Sequence, residues 1–328
     1  MKSKTKFIIS VSIIVMSFIF LGISTYFVIF NEENGENGVE NREIPIYIDG
    51  SGTNNWNWAS TQPWCQGSGT LADPYIIENL ILDANGSESC ILIKNSNVYF
   101  TIQNCKMFNA LYGGIWLVNV HNCEILNNDI FNNSQGVKLD NCEQSYLFEN
   151  RIHYNEIGIH IEKCGFTNIS ENLILNNINS GINITESGGI AICNNTLNFN
   201  CFAIAQRFSN YSWIYYNNIN NNTVGLNLYL VADFQITQNI LKSNNYYGMY
   251  IRASTRNLIC LNEFVNNMIN AFEGSGTNNQ WNFTDIGNFW SDYSGVDADD
   301  DGIGDTPYLI SGSTGSYDYY PIWDDGPN

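Results

Sequence analysis

The chain has 328 residues and a formal net charge of −19, from 13 Lys and Arg against 32 Asp and Glu. That balance makes nucleic acid a poor partner and disfavours polyanionic ligands unless calcium bridges them. The length is enough to bury a sizeable core.

Lys2, Lys4 and Lys6 precede an uncharged run from Phe7 to Phe30. A signal-peptide core is usually about 7–15 apolar residues with a small-residue cleavage site. This run is longer, lacks an Ala-x-Ala site, and at about 1.5 Å per residue would span a bilayer. Residues 1–30 are therefore expected to be a single-pass membrane anchor, with a cleaved signal as the alternative. Basic residues before the run and acidic ones after it place the rest of the chain outside, at the cell surface. Residues 31–45, containing NEENGENGVENRE, are expected to form a flexible acidic stalk.

Residues 46–89 carry Trp56, Trp58 and Trp64 and are expected to form an N-terminal cap. Residues 90–270 hold a repeat of 22–23 residues in eight units, opening at Cys90, Gly114, Gly136, Gly158, Gly181, Ala203, Gly225 and Gly248. One asparagine column contains Asn104, Asn128, Asn150, Asn172, Asn195, Asn217, Asn239 and Asn262. A second contains Asn109, Asn133, Asn155, Asn177, Asn200, Asn222, Asn244 and Asn267. Between them run apolar columns, among them Ile115, Val137, Ile159, Ile182, Ile204, Leu226 and Met249. Short β-branched stretches between Asn, Ser and Gly turns leave no room for a helix. The fold class is thus all-β, a parallel β-helix with one coil per unit. Stacked coils lie about 4.8 Å apart, so like asparagines should form hydrogen-bonded ladders along the axis.

The nine cysteines in an exported chain suggest disulfides. Cys142 and Cys164, however, fall in a column of small residues with Ser96, Ser187, Ser209 and Ser254, and are most simply core fillers.

Outward places of the first strand put Trp116, Lys138, His160, Arg207, Tyr229, Tyr250 and Arg252 on one face, where a sugar chain could lie along the rod. Asp140 and Glu162 share one place on adjacent coils. Carboxyls roughly 5 Å apart match a retaining glycosidase pair, one as acid and one as nucleophile, with His160 and Lys138 tuning them. Short loops at the coil edges argue against a deep cleft.

Residues 271–328 should form the second cap, plugged by Trp281, Phe283, Phe289, Trp290 and Tyr293. Within it, Asp297, Asp299, Asp301 and Asp305 stand at places 1, 3, 5 and 9 of a loop with Gly302 at place 6. The carbonyl of Ile303 would supply place 7, so structural calcium is expected here. Tyr308 replaces the bidentate Glu of an EF-hand, so binding should be weak.

The coil pattern, the opening GSGTLADPYIIEN and the closing GNFWSDYSGVDADDDGIGDTPYLI with YDYYPIW together resemble NosD-like β-helix proteins of archaeal-type cell surfaces, in the wider carbohydrate-binding and sugar-hydrolase β-helix group. The resemblance covers residues 46–323 and implies a right-handed parallel β-helix. It also raises copper, since NosD is an accessory protein for copper-site maturation. Yet His121, His153 and His160 face different directions and Met107, Met249 and Met268 form no cluster, so neither copper nor an organic cofactor is expected. Glycan binding without turnover is the favoured activity. A polysaccharide hydrolase or lyase, a structural envelope rod and a NosD-type copper accessory protein are the alternatives; oligomeric state stays open.

Overall fold

The computed structural model describes residues 44–323. The expected anchor at residues 7–30 and most of the stalk lie outside them. Among the described residues no helix is long and apolar enough to cross a membrane.

The chain winds as a parallel β-helix whose coils each give one strand to three faces. The first face is built from strands such as Gln135–Asp140, Ile157–Glu162 and Ser180–Thr185. The second continues through Glu143–Phe148, Asn168–Ser170 and Ala191–Cys193. The third, a separate sheet, has ten strands from Ile81–Asp83 to Phe289–Trp290. Ten strands mean ten coils, where the asparagine repeat shows eight. The extra coils come from the two segments expected to be caps. Ile46–Asp49 pairs in parallel with Ile91–Lys94, and Tyr75–Glu78 with Phe100–Gln103. At the other end Ile269–Gly274 pairs with Tyr247–Arg252. The first extra coil escapes the repeat because an insertion carrying the helix Trp56–Ala59, N-capped by Asn55, interrupts it.

The apolar columns fill the interior. Ile159, Ile169 and Ile174 of one coil are fully buried, as are their counterparts Ile182, Ile192 and Leu197 on the next. Each such side chain contributes roughly 1.5–3 kcal/mol by burial.

Asparagine serves at two adjacent places. Asn172 is buried; its Nδ2 donates to Asn195 Oδ1 at 3.0 Å, and its Oδ1 accepts from both Asn150 Nδ2 and Asn150 N at 2.9 Å. The same pattern runs from Asn128 to Asn262, where Asn288 and then the buried carboxylate of Asp318 complete the ladder. The second ladder runs from Asn133 to Asn267 and ends on Asn270. The residue just before a ladder asparagine turns the chain with positive φ: Asn127, Asn132, Asn176, Asn194, Asn221 and Asn266 lie between 51° and 56°. Asparagine tolerates that left-handed conformation better than other non-glycine residues.

This pairing corrects the first unit. Cys90 to Gly114 is a step of 24 residues, so Asn104 and Asn109 are exposed corner residues with φ of 54° and 65°, not ladder members. Cys105 and Ala110 take the ladder places, and their N–H groups donate to Asn128 and Asn133.

The small-residue column is a third ladder. Cys142 N donates to Cys164 Sγ at 3.2 Å, Cys164 N to Ser187 Oγ at 3.0 Å, and Ser187 N to Ser209 Oγ. All nine cysteines are free thiols, against the expectation of disulfides; within this column Cys164 Sγ accepts the Cys142 N–H, and Cys142 Sγ donates to the Leu117 and Asp140 carbonyls. Aromatic stacks close both ends. Trp56 lies 4.8 Å from Tyr75, while Trp290 is sandwiched between Phe264 and Tyr308 at 4.4 and 4.2 Å.

Candidate functional site

The first face carries the expected residues in strict register. Trp116, Lys138, His160, Asn183, Ala205, Asn227, Tyr250 and Phe272 form one outward column. Val118, Asp140, Glu162, Thr185, Arg207, Tyr229 and Arg252 form the next. Alternation of side chains along a strand makes every member of these columns point away from the core.

The two halves of this face differ. Towards the N-terminus the polar groups satisfy one another. Trp116 Nε1 donates to Asp140 Oδ2 at 2.7 Å, and Lys138 Nζ lies 3.4 Å from the same oxygen. The Trp116 ring is also engaged by cations, with Lys94 and Lys138 at 5.6 and 4.8 Å from its centroid. Glu162 pairs with Lys163 at 3.2 Å, and His160 Nδ1 is 2.8 Å from Gln135 Oε1. Burial and the Lys138 charge hold the His160 imidazole below its usual pKa, although Asp140 and Glu162 pull the other way. His160 is therefore a neutral hydrogen-bonding group at pH 7.

Towards the C-terminus the face opens. Arg207, Tyr229 and Arg252 are exposed and stacked one per coil. Neither arginine has a carboxylate within ion-pair distance among the described residues. Tyr250 stacks on Phe272 with centroids 5.2 Å apart and planes 11° from parallel, beside Tyr247. Phe272 belongs to a coil that the asparagine columns do not reach. Lys94 was legible, since it occupies the fourth place after Cys90.

In the acidic loop, carboxylate oxygens of Asp297, Asp299 and Asp301 lie within 4.8 Å of one another. Asp297 accepts from Asp301 N and Gly302 N, which curls the loop. The Asp301 charge raises the Asp299 pKa, with a smaller contribution from Asp297. Asp305 turns one oxygen to Ala298 N at 2.8 Å and stands outside the trio, and Ile303 N donates to Asp301.

The sequence pattern of the family described as periplasmic copper-binding protein (NosD) matches residues 35–180 and 100–295. The chain belongs to the NosD family. No curated protein sequence matches it. Among solved structures it is similar to a mutant of the periplasmic alginate epimerase AlgG, at 13% identity and TM-score 0.46, over 66% of this chain and 65% of that one. It is also similar to DFA-IIIase from Arthrobacter chlorophenolicus A6, at 11% identity and TM-score 0.51, over 63% of each chain. A mutant of that enzyme in complex with DFA-III gives 10% identity and TM-score 0.53, over 61% of this chain and 59% of that one. The NosD chain thus spans 59–65% of the length of these structures. Identities this low show the fold alone.

The histidines and methionines among the described residues do not assemble the donor set that the copper in the NosD description would require. His121 lies 3.7 Å from Glu143 on the second face, His153 is bound to Asp129 on the third, and His160 is on the first. Met107 and Met249 are buried in the core, whereas Met268 is exposed. Cu(I) or Cu(II) needs imidazole or sulfur ligands converging on one point, and these residues diverge.

Proposed function

We propose that this NosD-family chain is an extracellular glycan-binding rod that holds a sugar chain along its first face without cleaving it, with residues 7–30 as its anchor. The observation that carries this reading is the open column Arg207, Tyr229 and Arg252 beside stacked Tyr250 and Phe272. The arginines are two coils apart, roughly 9.6 Å along the axis. The net charge of −19 disfavours polyanions over the surface as a whole, but the two guanidinium groups, free of internal carboxylates, make a local cationic patch that favours a carboxylated sugar, which they can hold by paired N–H donors. Aromatic faces beside them offer stacking surface for pyranose rings.

Absence of turnover is argued from how Asp140 and Glu162 are held. Asp140 is committed to Trp116 and Lys138, and Glu162 to Lys163. A glycosidase acid needs apolar surroundings that keep it protonated near neutral pH. Here Asp140 lies instead against the Lys138 ammonium and the Trp116 indole N–H, and Glu162 against the Lys163 ammonium, so both side chains are occupied by internal partners. Calcium in the Asp297, Asp299 and Asp301 loop is proposed as a structural ion; three converging carboxylates support it.

The test is retention on immobilised acidic and neutral polysaccharides, with released reducing and unsaturated ends measured in the same samples. The expected result is retention of acidic chains with no product, weakened about tenfold by each of Arg207→Ala and Arg252→Ala. Product that disappears in Asp140→Asn or Glu162→Gln would make the protein an enzyme. Neither retention nor product would leave a structural rod.

A further inference from the structure

Residues 67–74, the start of the GSGTLADPYIIEN stretch, turn back against the N-terminal end of the second face and join Cys65–Gln66 to its antiparallel partner Tyr75–Glu78. Thr70 N donates to Asp73 O at 3.1 Å, Asp73 N to Thr70 O at 3.2 Å, and Tyr99 N to Gly69 O at 3.1 Å. Glycine is required where this turn closes on its neighbours. Gly69 has φ of +75°, and a Cβ there would fall 2.4 Å from the Tyr75 ring. The opening motif thus builds a fixed wall, from which Leu71 and Pro74 face the second face across a cavity of about 380 Å³. That volume lies in the range of ligand sites, about 300–1,000 Å³.

The floor of the cavity is one register column of the second face, with Thr101, Glu124 and Tyr146 on successive coils. The Glu124 carboxylate therefore has a hydroxyl on one side and a half-exposed phenol ring on the other. Tyr99 adds a second ring, and Asn122 and Gln144 add amides. No lysine, arginine or histidine lines the cavity. Among the described residues Glu124 makes no ion pair, and its one hydrogen bond is a long one, from Thr101 Oγ1 at 3.4 Å. Asp140 and Glu162 on the first face, by contrast, each have an ammonium partner. An unpaired carboxylate between aromatic rings attracts positive charge twice, by its own charge and through the negative faces of the rings. Calcium or magnesium is a poor match, because either needs several oxygen ligands where a single carboxylate stands among rings and apolar side chains. A uronate would meet like charge. An organic ammonium satisfies every wall: its charge meets Glu124, its apolar flank meets Tyr146, Leu71 and Pro74, and hydroxyl groups on it meet the two amides.

We infer that this walled cavity binds a small organic ammonium ion that bears hydroxyl groups, the chemistry of an amino sugar with a free amine. Glu124 pairs with the ammonium, Tyr99 and Tyr146 flank it, and the wall at residues 67–74 limits the site to one such unit. The site is separate from the arginine-bearing face, has the opposite charge preference and does not depend on how that face is read.

The experiment is calorimetric titration of the protein with D-glucosamine, buffered on the acidic side of neutrality so that its amine is protonated. N-acetyl-D-glucosamine and D-glucose are the uncharged controls with the same ring, and choline is a cation without the sugar ring. D-glucosamine should bind at one site per chain, and both uncharged sugars about tenfold more weakly or not at all. Glu124→Gln should lose about tenfold or more in affinity for D-glucosamine, with the melting temperature of the parent, since Glu124 is exposed. Tyr146→Ala should weaken binding as well, and Arg207→Ala with Arg252→Ala should leave it unchanged. Equal affinity in Glu124→Gln, equal affinity for the uncharged sugars, tighter binding of choline than of D-glucosamine, or no binding of D-glucosamine at millimolar concentration would overturn the inference. Retention on acidic polysaccharide tests the first face and should be unaltered in Glu124→Gln, so failure at one site is distinguishable from failure at the other.

Discussion

Asn172 connects three coils through one amide. Its Nδ2 reaches Leu147 O at 2.9 Å on the coil before and Asn195 Oδ1 on the coil after, and its Oδ1 receives the N–H groups of Asn150. Replacing it by Leu orphans groups on both neighbours, and each unpaired buried polar group costs about 1–3 kcal/mol. Asn179 is exposed and outside both ladders. Asn172→Leu should therefore lose on the order of 3 kcal/mol or more in urea unfolding, and Asn179→Leu within about 0.5 kcal/mol of the parent. Equal unfolding midpoints would remove the ladder as a source of stability. The ladder was legible because side chains on successive coils superimpose, so a buried amide recurs with the coil length. The corner asparagines were not separated from it, because Asn-Asn pairs hide two roles at adjacent places. In the first unit only the corner member survives, and Asn104 then looks like a ladder residue although Cys105 holds that place.

At the scale of the element, insertions decide what a repeat reveals. The terminal coils use the same strands as the others, yet their turns are lengthened by Gly50–Pro74 and by the segment between Gly274 and Phe289, so spacing conceals them. On the first face, register was readable from alternation alone, whereas the partnering of Trp116 with Asp140 depends on side-chain directions that periodicity does not encode. The acidic loop is the opposite case, since its turn chemistry is local. Gly302 has φ of +86° and open space around it, and the Asp297 carboxylate receives two backbone N–H groups. Three carboxylates held this close repel one another, which a divalent cation relieves. Extracellular calcium modules bind with Kd of about 0.1–1 mM, so 5 mM calcium should stabilise the protein by about 1–2 kcal/mol. Melting temperature should rise by a few degrees over a chelator control, and Asp301→Asn should abolish the rise. An unchanged melting temperature would exclude calcium from this loop.

The whole molecule is a one-dimensional stack in which each coil touches only its neighbours, so stability is close to a sum of coil and interface contributions. Register, not any particular coil, then holds the rod together. Deleting residues 181–202 joins Ser180 to Ala203 and removes one complete coil. Ile204 then takes the place of Ile182, Asn217 follows Asn172, and Asn222 follows Asn177, leaving both ladders continuous. A globular domain would not survive loss of a central strand from each of three faces. This one should fold with an unchanged far-ultraviolet dichroism shape and a cooperative urea transition, at a stability lowered by about the share of one coil. The deletion keeps Arg207, Tyr229 and Arg252 on consecutive coils. Retention of acidic polysaccharide should therefore persist. Removing only residues 181–191, half a coil, breaks register and should abolish folding. Similar stability of the two deletions would show that stacking register does not hold the rod together.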